Sequence, residues 1–138
     1  MSRGEWRYSW ISGCACLFLV ACATPPISQK LTGEEIKALI AGRTYECEGR
    51  DGWYVAYYPN AETAVLNFTD YDGGMVRVKG AVRYEADSVC VTWSRPDWGH
   101  ACYAFYREGN AVRSIKVTES ARRDECLGRV VNDNPRRY

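Results

Sequence analysis

The chain has 138 residues, with 18 basic and 17 acidic side chains and 46% hydrophobic residues. This length allows one domain and hardly permits two, and so apolar a composition is typical of a folding sequence. The near-neutral charge argues against a general nucleic-acid binder, because phosphate contacts need a basic surplus. Seven cysteines exceed the usual count for a cytosolic protein and indicate an oxidising compartment.

The first 21 residues are predicted to be a targeting segment. Arg3 and Arg7 make its start weakly positive, and the stretch from Trp10 to Ala21 is uncharged and mostly apolar. Its length suits a signal peptide and is too short to span a bilayer as a helix. Positions 19–22 read Leu-Val-Ala-Cys, which resembles the lipobox of bacterial lipoproteins.

The lipobox resemblance implies that Cys22 is lipidated on its sulfur and becomes the mature N-terminus. Ala23 follows where some lipoproteins carry an aspartate for inner-membrane retention, so the resemblance implies the outer membrane, facing the periplasm. Palmitate and further acyl chains on one cysteine would make the anchoring stable. A second match ends at Cys14, and an ordinary signal peptide cut near Ala21 or Ala23, or an uncut anchor, remain alternatives.

Beyond Cys22 the chain divides into a tether and one domain. Residues 22–30 contain two adjacent prolines and little else, and we interpret them as a lipidated tether. Residues 31–138 are predicted to form a single β-rich domain that begins with a short helix. The helix is predicted at about 33–41, where Thr32 is a good N-cap, a glutamate three residues later completes a capping box, and a glycine follows the end. We expect this helix to be a lid or plug on the main body.

The rest of the domain is predicted to form eight short strands. Alternation is best in the fourth, where Val76 and Val78 share one face with Tyr84, and Arg77 lies on the other. Short polar turns between the strands make neighbours antiparallel, which favours an up-and-down meander closed, or nearly closed, into a small barrel. A strongly twisted open sheet with the helix across one face is the alternative. The predicted strands are 43–48, 53–59, 63–69, 75–84, 88–94, 100–107, 111–118 and 126–131.

Four cysteines remain in the domain, and four cysteines permit three connectivities. Placing Cys90 opposite Cys102 in the hairpin around Pro96 puts both on one face and within disulfide reach. The remaining pair, Cys47–Cys126, would join the first strand to the last, and these are neighbours in a closed barrel. We therefore predict both disulfides. Zinc is disfavoured because the paired Cys-x-x-Cys spacing is missing, and neither a metal nor a cofactor is predicted.

Few residues suggest catalysis. His100 lies near Asp97 in the sequence, and a His–Asp contact could make the histidine a general base. No motif places a serine or cysteine nucleophile, so we interpret His100 as an exposed turn histidine. Glu46 and Glu48 share a strand face, but solvated pairs of this kind are common, and sugar hydrolysis is the weakest hypothesis. Residues 70–74 are interpreted as a hairpin turn rather than a calcium loop. We expect the protein not to be an enzyme.

Aromatic residues are the more suggestive feature. In residues 53–58 both strand faces are aromatic, and a small barrel cannot hold every ring, so some must be exposed. Exposed aromatics with polar tips often mark a binding surface. The candidate surface consists of Trp53, Tyr54, Tyr57, Tyr58, Trp98, Arg83 and Tyr84.

Several segments carry a first resemblance. They are Leu-Thr-Gly-Glu-Glu-Ile-Lys-Ala-Leu-Ile-Ala-Gly-Arg-Thr at 31–44, Tyr-Tyr-Pro at 57–59, Val-Cys-Val-Thr-Trp at 89–93, Cys-Tyr at 102–103 and Tyr-Arg-Glu-Gly-Asn at 106–110. Together they resemble a group of small secreted proteobacterial proteins known as a domain of unknown function. The resemblance covers most of the mature chain and implies a small β-rich fold with no assigned activity.

A second resemblance covers a shorter stretch. Tyr-Glu-Cys at 45–47, Val-Ala-Tyr at 55–57 and the segment 61–66 are similar to the first hairpin of inhibitors of C-type lysozyme, which are small disulfide-closed barrels. Residues 80–84 are similar to their inhibitory Ser-Gly-x-x-Tyr loop, although Lys79 stands in place of the serine. This resemblance implies inhibition of lysozyme through residues 80–84.

We therefore expect a non-catalytic outer-membrane lipoprotein that acts as a binding module of the bacterial cell envelope. The expected partners are the membrane, through the lipid anchor, and an envelope protein or a cell-wall enzyme. Nucleic acid is not expected as a partner. The alternative function is inhibition of lysozyme or another muralytic enzyme.

Overall fold

The computed structural model describes residues 27–70, 72–118 and 124–132, and the predicted elements are present to within two residues at either end. The signal peptide and Cys22 lie outside the described residues. The elements are β1 (Ser28–Lys30), α1 (Gly33–Ile40), β2 (Arg43–Gly49), β3 (Gly52–Tyr58), β4 (Thr63–Thr69), β5 (Met75–Tyr84), β6 (Val89–Trp93), β7 (His100–Glu108), β8 (Ala111–Lys116) and β9 (Glu125–Val131).

Strands β2 to β9 form a closed antiparallel barrel. Each pairs with the next along the chain, and β9 returns to pair with β2, from Thr44 opposite Val131 to Gly49 opposite Cys126. This closure confirms the predicted meander barrel and excludes the open-sheet alternative. Inward and outward residues alternate along each strand, so the barrel buries one face and leaves the other to solvent.

Strand β1 shows that the last three residues of the predicted tether belong to the sheet. Ser28 pairs with Glu108, and Lys30 pairs with Tyr106. β6 begins at Val89, opposite Tyr103, so it pairs with the first residues of β7 and leaves the β7 edge beyond Tyr103 for β1. Backbone pairing with the barrel therefore begins within the stretch assigned to the tether.

Helix α1 closes one end of the barrel, as predicted. The capping box is formed: the Glu35 N–H donates to Thr32 Oγ1 at 3.3 Å, and the Thr32 N–H donates to Glu35 Oε2 at 2.8 Å. Gly42 ends the helix with φ 78°, and its N–H donates to the Tyr58 carbonyl. Ile36 and Ile40 are fully buried against the core of the barrel. Within the described residues, no helix is long and apolar enough to cross a membrane.

Replacing Thr32 with alanine is expected to cost about 1 kcal/mol of unfolding free energy, because the N-cap side chain is lost. Urea denaturation of the oxidised protein measures the change. Thr32→Ser keeps the capping oxygen and should lie close to the wild type. Equal destabilisation by Thr32→Ala and Thr32→Ser would show that the capping oxygen does not account for the loss of stability.

Both predicted disulfides are present. Cys90 lies directly opposite Cys102, with 3.9 Å between their Cα atoms. Cys47 joins Cys126 diagonally across the closure between β2 and β9, because the residue opposite Cys47 is Gly128. A glycine there leaves room for the Cys47 side chain to pass toward Cys126.

Candidate functional site

The barrel encloses a cavity of about 620 Å³ that opens at the end opposite α1. Inward side chains of every barrel strand except β5 reach it, together with loop residues at the mouth. This volume falls in the range of small-molecule sites, about 300–1,000 Å³. The lining comprises Tyr45, Cys47, Gly49, Arg50, Asp51, Tyr54, Ala56, Tyr58, Leu66, Phe68, Thr69, Asp70, Trp93, Arg95, Trp98, Tyr103, Phe105, Ser114, Asp124, Glu125 and Cys126.

Five aromatic side chains surround the half of the cavity nearer the mouth, and we call them the aromatic box. The ring centroid of Phe68 lies 5.1 Å from that of Trp98 and 6.2 Å from that of Tyr54. Trp93 meets Trp98 edge-on, with 5.9 Å between ring centroids. Tyr103 lines the cavity together with these rings and is the fifth member of the box. Tilted and edge-on contacts of this kind are the favoured geometries of aromatic pairs.

The floor of the cavity combines rings with hydroxyl groups. The ring of Tyr45 lies 5.3 Å from that of Phe105. The Tyr45 hydroxyl lies within donating distance of two carbonyl oxygens, 2.8 Å from that of Cys126 and 3.0 Å from that of Val112. Its oxygen is also 3.4 Å from Ser114 Oγ. Hydroxyl groups at the base of an apolar cavity can orient the polar end of a ligand.

Burial raises the pKa values of three tyrosines that line the cavity. It raises the pKa of Tyr45 to about 12, and it also raises the pKa values of Tyr58 and Tyr103. For Tyr103 the hydrogen bond with Trp93 opposes part of this effect. A neutral phenol both donates and accepts hydrogen bonds, so the wall carries polar atoms without a full negative charge.

Alkaline pH is expected to unfold the barrel through these tyrosines. The Tyr45 pKa rises from 10.0 to about 12 on folding, so between these values the unfolded state holds fewer protons than the folded state. The contribution of Tyr45 to stability is therefore intact below pH 10 and is lost as the pH rises through about 12. Tyrosinate absorbance should show a late phase that coincides with unfolding by circular dichroism, and Tyr45→Phe should reduce it. Complete ionisation in a folded barrel would contradict this expectation.

The loop of residues 94–99 folds against the mouth. The Arg95 guanidinium lies 5.3 Å from the centroid of the Trp98 ring, in a cation–π contact, and pairs with Asp97 at 3.1 Å. The Gly99 N–H donates to the Arg95 carbonyl, which tightens the turn that carries Trp98. Arg95 thus links the loop to the aromatic box.

His100 is exposed and points away from the cavity lining. Its Nδ1 lies 3.1 Å from Thr92 Oγ1. Asp97, which the sequence analysis considered as a partner of His100, forms a salt bridge with Arg95. Among the described residues, His100 forms with Cys90 and Cys102 a group whose ligand atoms lie within 4.8 Å. The two sulfur atoms are bonded to each other, so this group is not an open metal site.

The structure divides the predicted aromatic surface. Tyr54, Tyr58 and Trp98 line the cavity, whereas Trp53 and Tyr57 lie on the outer face of β3. Trp53 is 53% exposed, as expected for rings that the interior cannot hold. The seven candidate residues therefore do not share one face of the barrel, because alternation along the strand sends neighbouring rings to opposite faces.

Residues 80–84, compared above with an inhibitory loop, lie in strand β5. They are paired with β6 from Gly80 opposite Trp93 to Tyr84 opposite Val89. The Arg83 side chain is exposed and pairs with Glu85 at 2.7 Å. Tyr84 is half-buried, and its buried hydroxyl has no hydrogen-bond partner among the residues that the structure describes. This segment therefore lies apart from the cavity lining.

Of the remaining candidates, Glu46 and Glu48 lie outside the cavity lining, whereas Asp70 of the turn candidate belongs to it. The carboxylate of Glu46 faces Arg129 across the closure at 3.4 Å, and Glu48 is exposed on the same outer face. Asp70 and residues 72–74 connect β4 to β5, and the Gly73 N–H donates to the Asp70 carbonyl at 2.8 Å.

Sequence reasoning missed the cavity itself. Phe68, Trp93 and Tyr103 are not part of the predicted surface, and nothing in their spacing along the chain shows that they would lie in one cavity lining with Trp98. The only available signal was the alternation of each strand, which places Trp93 and Tyr103 on the face opposite the cysteines. Compared with protein families, curated proteins and solved structures, the chain matches none of them.

Proposed function

We propose that the protein is a non-catalytic binding module that holds a small amphipathic ligand inside its barrel. The observation that carries this proposal is the cavity, closed by α1 at one end, open at the other, and lined by aromatic rings and neutral hydroxyls. Eight-stranded barrels are just wide enough to hold one small ligand. The rings supply contact area for the ligand, and the hydroxyls of Tyr45 and Ser114 would receive its polar end.

The proposal places this module in the bacterial envelope as a lipoprotein anchored through Cys22. Its support is the sequence at 19–22 and the presence of two disulfides, which persist in oxidising compartments. Radiolabelled palmitate incorporated into the wild type but not into Cys22→Ser would support the anchor. Equal incorporation would contradict it.

The cavity proposal is tested with N-phenyl-1-naphthylamine, a neutral aromatic probe that fluoresces in apolar surroundings. Binding should bring it close to Trp93 and Trp98 and give energy transfer from tryptophan. Ala56→Phe places a ring inside the cavity, whereas Val55→Phe adds a ring on the outer face of the same strand. We expect Ala56→Phe to weaken binding at least about tenfold, and Val55→Phe to leave it close to wild type.

Each variant must first show a wild-type circular dichroism spectrum. No binding by the wild type, or equal binding by both folded variants, would overturn the cavity proposal. A lysozyme turbidity assay with excess oxidised protein separates it from the inhibitor alternative. Inhibition that disappears in Arg83→Ala would favour the alternative, because Arg83 is the exposed charge of residues 80–84.

A further inference from the structure

We propose that the ligand held in the barrel is an organic cation whose bulky ammonium group sits in the aromatic box. This inference rests on the proposed cavity function and names the class of ligand. It follows from three features of the described residues: the cluster of five aromatic rings in the cavity lining, the cation already placed on one of them, and the excess of carboxylates in the lining.

The aromatic box has the composition of a cation site. The face of an aromatic ring is negative, and an ammonium group within about 6 Å of the ring centroid is attracted to it, most strongly to tryptophan. Trp93, Trp98 and Phe68 are connected by ring contacts of 5.1 and 5.9 Å, and Tyr54 and Tyr103 complete the enclosure. Several rings around one space are the arrangement used to recognise quaternary ammonium groups.

A cation already lies against the box. The Arg95 guanidinium lies over the Trp98 ring, and Asp97 holds the same side chain from the other direction. Among the described residues, Arg50 and Arg95 are the only basic ones that line the cavity, and both belong to loops at the mouth. The deeper part of the described lining therefore contains no positive side chain that would repel an ammonium group.

Among the described residues that line the cavity, acidic side chains outnumber basic ones. Arg50 and Arg95 carry guanidinium groups, and four residues carry carboxylates, namely Asp51, Asp70, Asp124 and Glu125. Some of these charges are paired, Arg95 with Asp97, Asp124 with Lys116 and Glu125 with Arg113. This excess of carboxylates has the sign that attracts a cation.

The neutral tyrosines of the cavity wall favour one class of cation over others. Because Tyr45, Tyr58 and Tyr103 stay protonated, the cavity offers no buried full negative charge to a strongly hydrated ion. A metal ion or a small primary ammonium would lose its hydration without compensation. A quaternary or heavily substituted ammonium is weakly hydrated and suits ring faces, and a polar group at its other end could reach Ser114.

The test compares two ligands of one shape. The 4-(trimethylammonio)phenol cation and 4-tert-butylphenol differ in having a charged nitrogen in place of a quaternary carbon. Isothermal titration of the oxidised protein should show the cation binding at least about tenfold more tightly than its neutral counterpart. Trp98→Leu keeps an apolar side chain but removes the ring, so it should abolish this preference. Trp53→Leu, on the outer face, should retain it.

A second measurement avoids dependence on how Trp98→Leu folds. Protein that contains 5-fluorotryptophan has less negative indole faces at nearly unchanged shape, so its affinity for the cation should fall relative to that for the neutral phenol. Equal affinities of the wild type for the two phenols, or failure of both to bind while N-phenyl-1-naphthylamine binds, would overturn the cation inference alone. Failure of all three to bind would overturn the proposed function together with it.

Discussion

Removing the Cys47–Cys126 disulfide is expected to cost more stability than any other single change proposed here, about 4.5 kcal/mol by loop entropy for its separation of 79 residues. The bond joins the first and last strands of the barrel, so in the unfolded chain it restrains most of the domain. Cys47 is also buried and lines the cavity with Cys126, so the loss should weaken binding of N-phenyl-1-naphthylamine. Guanidinium denaturation of Cys47→Ala/Cys126→Ala measures the first effect, and probe titration measures the second.

The other disulfide provides the matched control. Cys90 and Cys102 are only 12 residues apart, and the same relation gives about 2.8 kcal/mol for Cys90→Ala/Cys102→Ala. Neither residue lines the cavity, so probe binding by that folded variant should stay close to wild type. Equal destabilisation by the two double variants would show that loop length does not set the contribution of these bonds.

Replacing Gly128 with alanine is expected to destabilise the barrel by about 3 kcal/mol, the upper part of the usual range for overpacking. A Cβ atom at this position would overlap the Glu46 carbonyl oxygen and lie 2.5 Å from the Cα and 2.7 Å from the Cβ of Cys47. All of these atoms are held by the closure between β2 and β9 and by the disulfide, so they cannot move away cheaply. Chemical denaturation with circular dichroism measures the loss.

Gly74→Ala is the control for this substitution. Gly74 lies in the β4–β5 turn, where a Cβ atom would meet nothing within 4 Å and where the backbone does not need a positive φ. Its stability should lie within about 0.5 kcal/mol of the wild type. If Gly128→Ala unfolds at the same denaturant concentration as Gly74→Ala, the close approach at the closure is not the constraint inferred here.

The elements of the fold could be predicted because their signals are local. Alternation in residues 75–84 defined two faces of a strand, and Thr32 with Glu35 marked the start of the helix. The hairpin that contains Pro96 is short enough for its register to follow from the positions of Cys90 and Cys102. Once that pair was assigned, the remaining pair, Cys47–Cys126, agreed with a barrel in which the first and last strands are neighbours, while an open sheet remained the alternative.

The site could not be predicted in the same way. Alternation shows that Tyr54 and Tyr58 share a face, but it does not show that Phe68 and Trp98, thirty positions apart, will meet across the mouth. That contact depends on the stagger of the closed barrel and on the turn in which Arg95 packs against Trp98. The seven residues predicted as one surface were accordingly divided between cavity and exterior.

By itself, the sequence determined the strand order, the capped helix and both disulfides, because each follows from spacing within one element or one hairpin, or from elimination. Only the tertiary structure decided that the interior is a cavity, that Gly128 must stay a glycine and that residues 28–30 pair with β7. These outcomes depend on which distant backbones and rings come together when β9 pairs with β2. Residue spacing along the chain carries no measure of such distances.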